Sequence, residues 1–273
     1  MKEMQEIFET FKPVNSIVRE YVDYYYLDIK PNNIVNEFQC FPHFNNTISL
    51  YKSHVKLDTG EMIFEDSAKS FQIFTPIREK ILSVKQSGPV YRIVIVFHAF
   101  GIQQFYRNLN FADYVMGESF FNEQELGALF STENTGILTE LLDCFLQKRF
   151  QKFDNSILEQ TIKYIFKNYE DFAVTKIAGE LGISRQHLNR VFQSHLGVSV
   201  KKFHEIVVFR QTINQKLFKD PNESFTRLAH GFNYNDQSHF NKTYKILTEN
   251  SPKSFFSKGT VLGREDTFWH LQP

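Results

Sequence analysis

Hydrophobic and polar positions follow two different rhythms along the chain. Up to about residue 110 the apolar residues come in short β-branched and aromatic runs, strongest at Tyr91–Phe97, with weaker runs at Ile48–Lys52, Glu61–Glu65, Ser70–Phe74 and Lys80–Val84. Gly60, Pro76 and the pair Gly88-Pro89 punctuate them as turns. Short strands separated by turns predict an antiparallel barrel or sandwich. Near Asn110 the rhythm becomes helical: Ile137, Leu138, Leu141, Leu142 and Phe145 recur at helix spacing, and so do Ile157, Leu158, Thr161, Ile162, Ile165 and Phe166. The polar run Gln147–Asn155 between them marks a domain boundary.

From Thr175 onward one pattern occurs twice. The first copy is Ile177-Ala178, then Leu181-Gly182-Ile183-Ser184, Leu188 and Phe192. The second is Leu228-Ala229, then Phe232-Asn233-Tyr234-Asn235, Phe240 and Tyr244, with one extra residue after its turn. Phe192 to Phe203 is eleven steps, as is Tyr244 to Phe255. Each copy has the parts of a helix-turn-helix. Ala178 or Ala229 lets two helices approach closely, and Gly182 or Asn233 suits a residue at positive φ. Ile183 or Tyr234 plugs the core, Ser184 or Asn235 serves as N-cap, and the i,i+4 pairs Leu188/Phe192 and Phe240/Tyr244 anchor the second helix.

The opposite helix face is polar. With Leu188 inward, Gln186 and Arg190 point outward, flanked by Asn189 and Gln193, and Arg185 at the helix start is counted with them. In the second copy the outward set is Gln237, Ser238, Asn241 and Lys242, with His239 at the edge. These side chains can hydrogen-bond base edges or phosphates of double-stranded DNA. The segment Ser199–Phe218 has no Pro or Gly, and a helix of about 20 residues spans roughly 30 Å. One turn of B-DNA is about 34 Å, so such a linker suits two recognition helices in successive major grooves.

Charge changes the picture slightly. The net charge is zero, yet residues 1–153 carry 15 Lys and Arg against 19 Asp and Glu, and residues 154–273 carry 16 against 12. The C-terminal half is the one biased toward a polyanion.

These residues resemble the AraC/XylS family of bacterial transcription regulators over roughly residues 156–258. The carriers are Ile177-Ala178, Leu181-Gly182-Ile183-Ser184, Leu188, Arg190, Phe192, Gly197, Arg210, Leu228-Ala229, Asp236-Gln237-Ser238-His239-Phe240 and Ser251-Pro252. The resemblance implies two helix-turn-helix subdomains joined by a long helix. It places Gln186 and Arg190 at base or phosphate contacts of the first recognition helix, and Gln237, Ser238, His239 and Lys242 at those of the second. RNA polymerase is the further partner it implies. Asn233, Val200 and Glu249 depart from the family's usual Gly, Pro and Gly. The N-terminal part is also similar to β-rich sensor domains of some members, through Tyr21–Tyr26, Phe41-Pro42-His43 and Phe97–Gly101. That implies a small barrel with helices that dimerise the protein.

The expected organisation is therefore α+β and multidomain. Residues 1–150 form an antiparallel, barrel or cupin-like sensor and dimerisation domain with helices. Residues 156–258 form an all-α tandem helix-turn-helix domain, and residues 259–273 form a tail. Tyr24–Tyr26, Phe41, Phe44, Phe97 and Phe100 are either core or the lining of a small-molecule effector pocket. Helix Ile137–Phe145 is either packed on its own barrel or a homodimer interface. His43, His54 and His98 lack the paired spacing of a cupin metal site, and the sequence calls for no cofactor. A metal-binding or enzymatic cupin tethered to a DNA-binding module is the alternative. No GxSxG, Walker A, GxGxxG or HExxH motif is present, so the chain reads as a regulator rather than an enzyme. Cys40 and Cys144 lack metal or redox spacing, and no apolar run reaches signal-peptide or membrane-span length. The expectation is a cytoplasmic protein that does not enter the membrane.

Overall fold

The computed structural model describes residues 5–116 and 118–272; the outermost limits of the expected segments, residues 1 and 273, lie outside them. The first part contains β1 (Ile7–Phe11), α1 (Ser16–Tyr21), β2 (Val22–Lys30), β3 (Val35–Cys40), β4 (Asn46–Tyr51), β5 (His54–Lys56), β6 (Met62–Phe64), β7 (Phe71–Thr75), β8 (Leu82–Ser87), β9 (Val90–Phe97), β10 (Val115–Met116), α2 (Glu123–Leu129) and α3 (Thr135–Arg149). The second part contains α4 (Ser156–Lys167), α5 (Val174–Glu180), α6 (Arg185–Leu196), α7 (Val200–Asn214), α8 (Phe225–Gly231), α9 (Gln237–Thr248) and α10 (Pro252–Lys258), followed by β11 (Gly259–Val261) and β12 (Phe268–Gln272).

The strands form two six-stranded sheets, ordered β1-β2-β9-β4-β7-β10 and β11-β12-β3-β8-β6-β5. Pairing is antiparallel except between β6 and β8. The sheets face each other across Tyr24, Tyr26, Val94 and Val96 on one side and Phe38 and Trp269 on the other. They do not close into the expected barrel. Each sheet keeps two edge strands, whereas a barrel pairs its first and last strands.

β2 is apolar almost throughout because both of its faces are covered. Tyr24 and Tyr26 point between the sheets, while Tyr25, Leu27 and Ile29 pack under α2 and α3. The Tyr25 hydroxyl donates to Asp143 of α3 at 2.7 Å, and the same carboxylate accepts the Val14 and Asn15 amides at 2.8 and 2.7 Å. Leu138, Leu142 and Leu146 bury one stripe of α3 against this sheet, leaving Ile137 exposed.

The polar run before α4 is held in place. Gln104 brackets Phe153, donating to its carbonyl at 3.0 Å and accepting its amide at 2.9 Å. Beyond it, α7 is the spine of the helical part. Val200, Phe203, Ile206 and Val207 enter the core of the first subdomain, and Val208, Phe209 and Ile213 enter that of the second. A helix buried on nearly all sides is a core helix. Its helical path continues through a π-helical turn, Gln215–Lys219.

Within the stretch expected as a tail, residues 259–273, Gly259–Val261 and Phe268–Gln272 are strands. β12 pairs with β3 from Glu37 to Cys40, so the end of the chain completes the second sheet of the N-terminal domain. A five-residue strand carries no local mark of its partner, which lies more than 200 residues earlier.

Candidate nucleic-acid interface

The two copies of the repeated pattern fold alike. In the first, Gly182 has φ of +65°, and in the second Asn233 has φ of +55°. The same hydrogen bond closes each turn: Ile183 N–H to the Ala178 carbonyl, and Tyr234 N–H to the Ala229 carbonyl, both at 3.0 Å. Ala178 and Ala229 are buried where the paired helices meet. Leu188, Phe192 and Leu196 anchor α6, and Phe240, Tyr244 and Leu247 anchor α9. The buried Tyr244 hydroxyl shares a hydrogen bond with Thr212 of α7 at 2.7 Å, which fixes α9 to the spine.

The N-caps differ. Ser184 caps α6 as expected, its hydroxyl accepting the His187 amide at 3.1 Å. In the second copy the cap is Asp236, not Asn235, and its carboxylate accepts the His239 amide at 2.7 Å. The extra residue of this copy moves the helix start by one position. A carboxylate at that place also interacts favourably with the helix dipole.

Both recognition helices keep their polar faces in solvent. Arg185, Gln186, Arg190 and Gln193 are exposed on α6, and Gln237, Ser238, His239, Asn241 and Lys242 on α9. Two of the predicted contact residues already have structural work. Asn189 is half-buried, and its Oδ1 accepts the Val200 amide at 3.3 Å, joining α6 to the start of α7. Gln237 Oε1 accepts the Thr226 hydroxyl at 3.0 Å, which orients its amide. The His239 ring lies edge-on to Tyr234 at 5.4 Å between centroids. Exposed Arg227 on α8, Lys245 on α9 and Lys253 on α10 add positive charge to the second subdomain. Arg227 and Lys253 lie outside the recognition helices, where the helix-face pattern gives no sign of them.

The first subdomain also touches the β-rich domain. Gly197 ends α6 at φ of +74°, and a Cβ there would lie 1.9 Å from the Phe111 carbonyl oxygen. Gln103 donates to the His195 carbonyl at 2.6 Å. Phe44, Ile77 and Phe100 enter the hydrophobic cluster of this subdomain.

A cavity of about 200 Å³ lies between the two sheets. Tyr24, Tyr26 and Phe41 line it, as the pocket reading expects. Tyr25 and Phe97 belong to the core beneath the helices, and Phe44 and Phe100 to the contact with the first subdomain. Phe38, Trp269, Arg78, Arg92 and Arg210 complete the wall. Arg92 is buried against Asp28 at 2.6 Å and faces the Tyr26, Phe38, Tyr51 and Trp269 rings at 5.4–5.7 Å. Among the described residues no group of three or more His, Cys, Asp or Glu side chains is placed to hold a metal ion. No helix among them is long and apolar enough to cross a membrane.

Comparison with known proteins adds to this geometry. Residues 177–258 match a family model described as a helix-turn-helix domain. The Msm operon regulatory protein of Streptococcus mutans is 25% identical over 123 residues, which span 44% of this chain and 44% of that protein. The chain thus aligns with less than half the length of this relative. Among solved structures, ToxT from Vibrio cholerae covers 93% of this chain and 97% of its own, with 13% identity and a TM-score of 0.49. The same protein with an unsaturated fatty acid bound covers 97% and 100%, with 14% identity and a TM-score of 0.47. The C-terminal domain of AraT, a response regulator from Geobacillus stearothermophilus, covers 41% of this chain and 92% of its own, with 20% identity and a TM-score of 0.36.

Proposed function

We propose that residues 177–258, which match a helix-turn-helix family model, are a DNA-binding domain of the AraC type, and that the chain is a sequence-specific transcription regulator whose DNA binding responds to a small molecule held between the β-sheets. The observation that carries this reading is the duplication. Two helices with buried anchors and exposed polar faces are mounted on one spine, α7. Arg185, Arg190 and Lys242 supply phosphate contacts and most of the affinity, which therefore falls steeply with salt. Gln186, Gln237, Ser238 and His239 choose the sequence, at about 1–3 kcal/mol for each well-formed bidentate contact. Asn189 contributes only through the amide group that its bond to Val200 leaves free.

Residues 1–150 are the sensor and residues 156–258 the DNA-binding domain in this reading. The effector has an apolar body suited to the Tyr24, Tyr26, Phe38 and Phe41 walls of the cavity. RNA polymerase and a second copy of the chain are the protein partners proposed. The protein acts in the cytoplasm, where its DNA is. The kinship with an operon regulatory protein supports a regulatory role.

Mobility-shift titration of Arg190→Ala and Lys242→Ala tests the reading. Each variant is expected to bind its operator at least about tenfold more weakly, or roughly 1.4 kcal/mol, with an unchanged thermal midpoint. Wild-type affinity in both variants contradicts the assignment of these helices to DNA.

A further inference from the structure

The chain's C-terminal hairpin leaves the DNA-binding module and enters the β-rich domain. β11 follows α10 without a break, and β12 pairs along β3. Phe268 packs on Phe255 of α10 in the core of the second subdomain. Its neighbour Trp269 stacks on Phe38 at 4.5 Å between ring centroids and forms part of the cavity wall. Two consecutive side chains thus serve two different domains.

Asp266 precedes them and joins three parts of the molecule. Its carboxylate accepts Arg210 Nε at 2.9 Å and a second contact from Arg210 Nη2, in the forked geometry that suits a guanidinium. It also lies 3.1 Å from His43 Nε2. His43 Nδ1 accepts the Asn45 amide at 3.1 Å, so Nε2 carries the ring proton and donates it to Asp266. Burial, with Arg210 and Arg78 beside it, pushes the His43 pKa well below its usual value, so the ring is neutral. Arg210 comes from α7, His43 from the β-rich domain and Asp266 from the end of the chain. Arg78 faces the same cavity, with Nη2 on Asn45 at 3.1 Å and a buried Nε that has no partner. The cavity end therefore holds two guanidinium groups, and the hairpin supplies the carboxylate.

The hairpin is an edge element of its sheet. β12 covers an edge of β3, which keeps β8 on its other side, so detachment costs that edge pairing and the burial of Phe268, Trp269 and His270 but leaves the rest of the sheet paired. Leu271 and Gln272 are exposed, and the Asp266 side chain is 33% exposed. Thr267, Phe268, Trp269 and His270 are buried, so the cover is thin only at the two ends of the strand.

We propose that this hairpin is an internal latch: Asp266 fills a carboxylate site formed by Arg210 and His43, and so locks the DNA-binding module to the β-rich domain. A molecule entering the cavity competes with Asp266 and Trp269 for the same wall, so occupancy and release are one event. The latch rests on the regulator reading for its consequence but not for its existence. The spine α7 sets the spacing of the two recognition helices, but the module as a whole must be free to turn onto the duplex. A module pinned at Gly197, Phe44 and Asp266 has lost that freedom, so release favours DNA binding.

Full-length Asp266→Asn keeps the shape of the side chain and removes its charge. Amide hydrogen exchange is expected to rise at least tenfold across β12 and the facing amides of β3, with β2 and β9 unchanged. Affinity for a duplex selected from a random pool by the wild-type chain is expected to rise at least threefold. Lys12→Ala, which removes the exposed pairs to Glu265 at 2.9 Å and Asp23 at 3.1 Å and the contact with the Tyr24 ring but leaves Asp266 its partners, should alter neither. Unchanged exchange in β12 overturns the latch, as does equal loosening by Lys12→Ala. A loosened hairpin with unchanged or weaker DNA affinity overturns its control of DNA binding. Failure of the wild-type chain to select any duplex counts against the regulator reading instead, and the exchange measurement still decides the latch.

Discussion

The two helix-turn-helix copies reach the same geometry with different chemistry. Both need a left-handed residue in the turn and another after the recognition helix. The first copy places Gly182 and Gly197 there, and the second places Asn233 and Glu249, at φ of +55° and +58°. A non-glycine residue in this conformation costs roughly 1–2 kcal/mol. Asn233 is the more tolerant of the two, and its Nδ2 donates to the Glu170 carbonyl at 2.5 Å. The first copy is thus unstrained and docked on the β-rich domain through Phe111, Gln103 and Phe44. The second carries backbone strain and is tied to that domain through the C-terminal hairpin and Phe41. The difference makes the first copy the unstrained foundation and the second the strained one.

The largest expected effect breaks the foundation. Gly197→Ala forces a Cβ against the Phe111 carbonyl in addition to the cost of positive φ. It should destabilise by at least about 2 kcal/mol and lower the thermal midpoint by roughly 5 °C or more. Glu249→Ala, at the matching position, should change the midpoint little because the native residue already carries that cost. Equal loss in both variants would remove the distinction between the copies.

The next effect is on DNA. Arg190→Ala and Lys242→Ala should each reduce the slope of log affinity against log salt by about 1, one for each copy. If only one variant changes the slope, one copy alone holds phosphate.

Acid should have a smaller effect, on both parts of the molecule. Burial pushes His195 on α6, His204 on α7, His270 on β12, and His43, His54 and His98 of the β-rich domain below the usual imidazole pKa. The unfolded chain then binds more protons than the native one below about pH 6.5, so stability is complete above that pH and falls as pH drops through it. Chemical denaturation at about pH 7 and about pH 5 should show the protein less stable at the acidic value. Equal stability at the two values contradicts this.

The smallest effect repairs the second copy. Glu249→Gly should stabilise by about 0.5–1 kcal/mol, since relief of the left-handed cost exceeds the entropy that glycine brings to the unfolded chain. Chemical denaturation measures it, and a destabilised variant would show that Glu249 is not strained.

Local rules made much of the helical half legible. The anchors Leu188, Phe192, Phe240 and Tyr244 are fully buried, as their i,i+4 spacing predicts, and Gly182 and Asn233 both take positive φ. Asp236 rather than Asn235 caps α9 because the extra residue shifts the frame, and the side chain alone does not say which of two adjacent Asx residues starts a helix. Asn189 sits on the outward side by helical phase, yet turns to the Val200 amide. The cavity was half legible. Tyr24 and Tyr26 alternate with Tyr25 by strand periodicity, but the wall opposite them comes from β12 and Arg210. Contacts across such sequence distances leave no local signal, and neither did the place of the hairpin in the second sheet.

Hydroxyl-radical footprinting on a selected duplex tests the central claim most directly. Two helices on one spine should protect two patches about one helical turn apart on one face of the DNA. Arg190→Ala should weaken one patch and Lys242→Ala the other. A single patch indifferent to both substitutions, or two patches on opposite faces, contradicts the account.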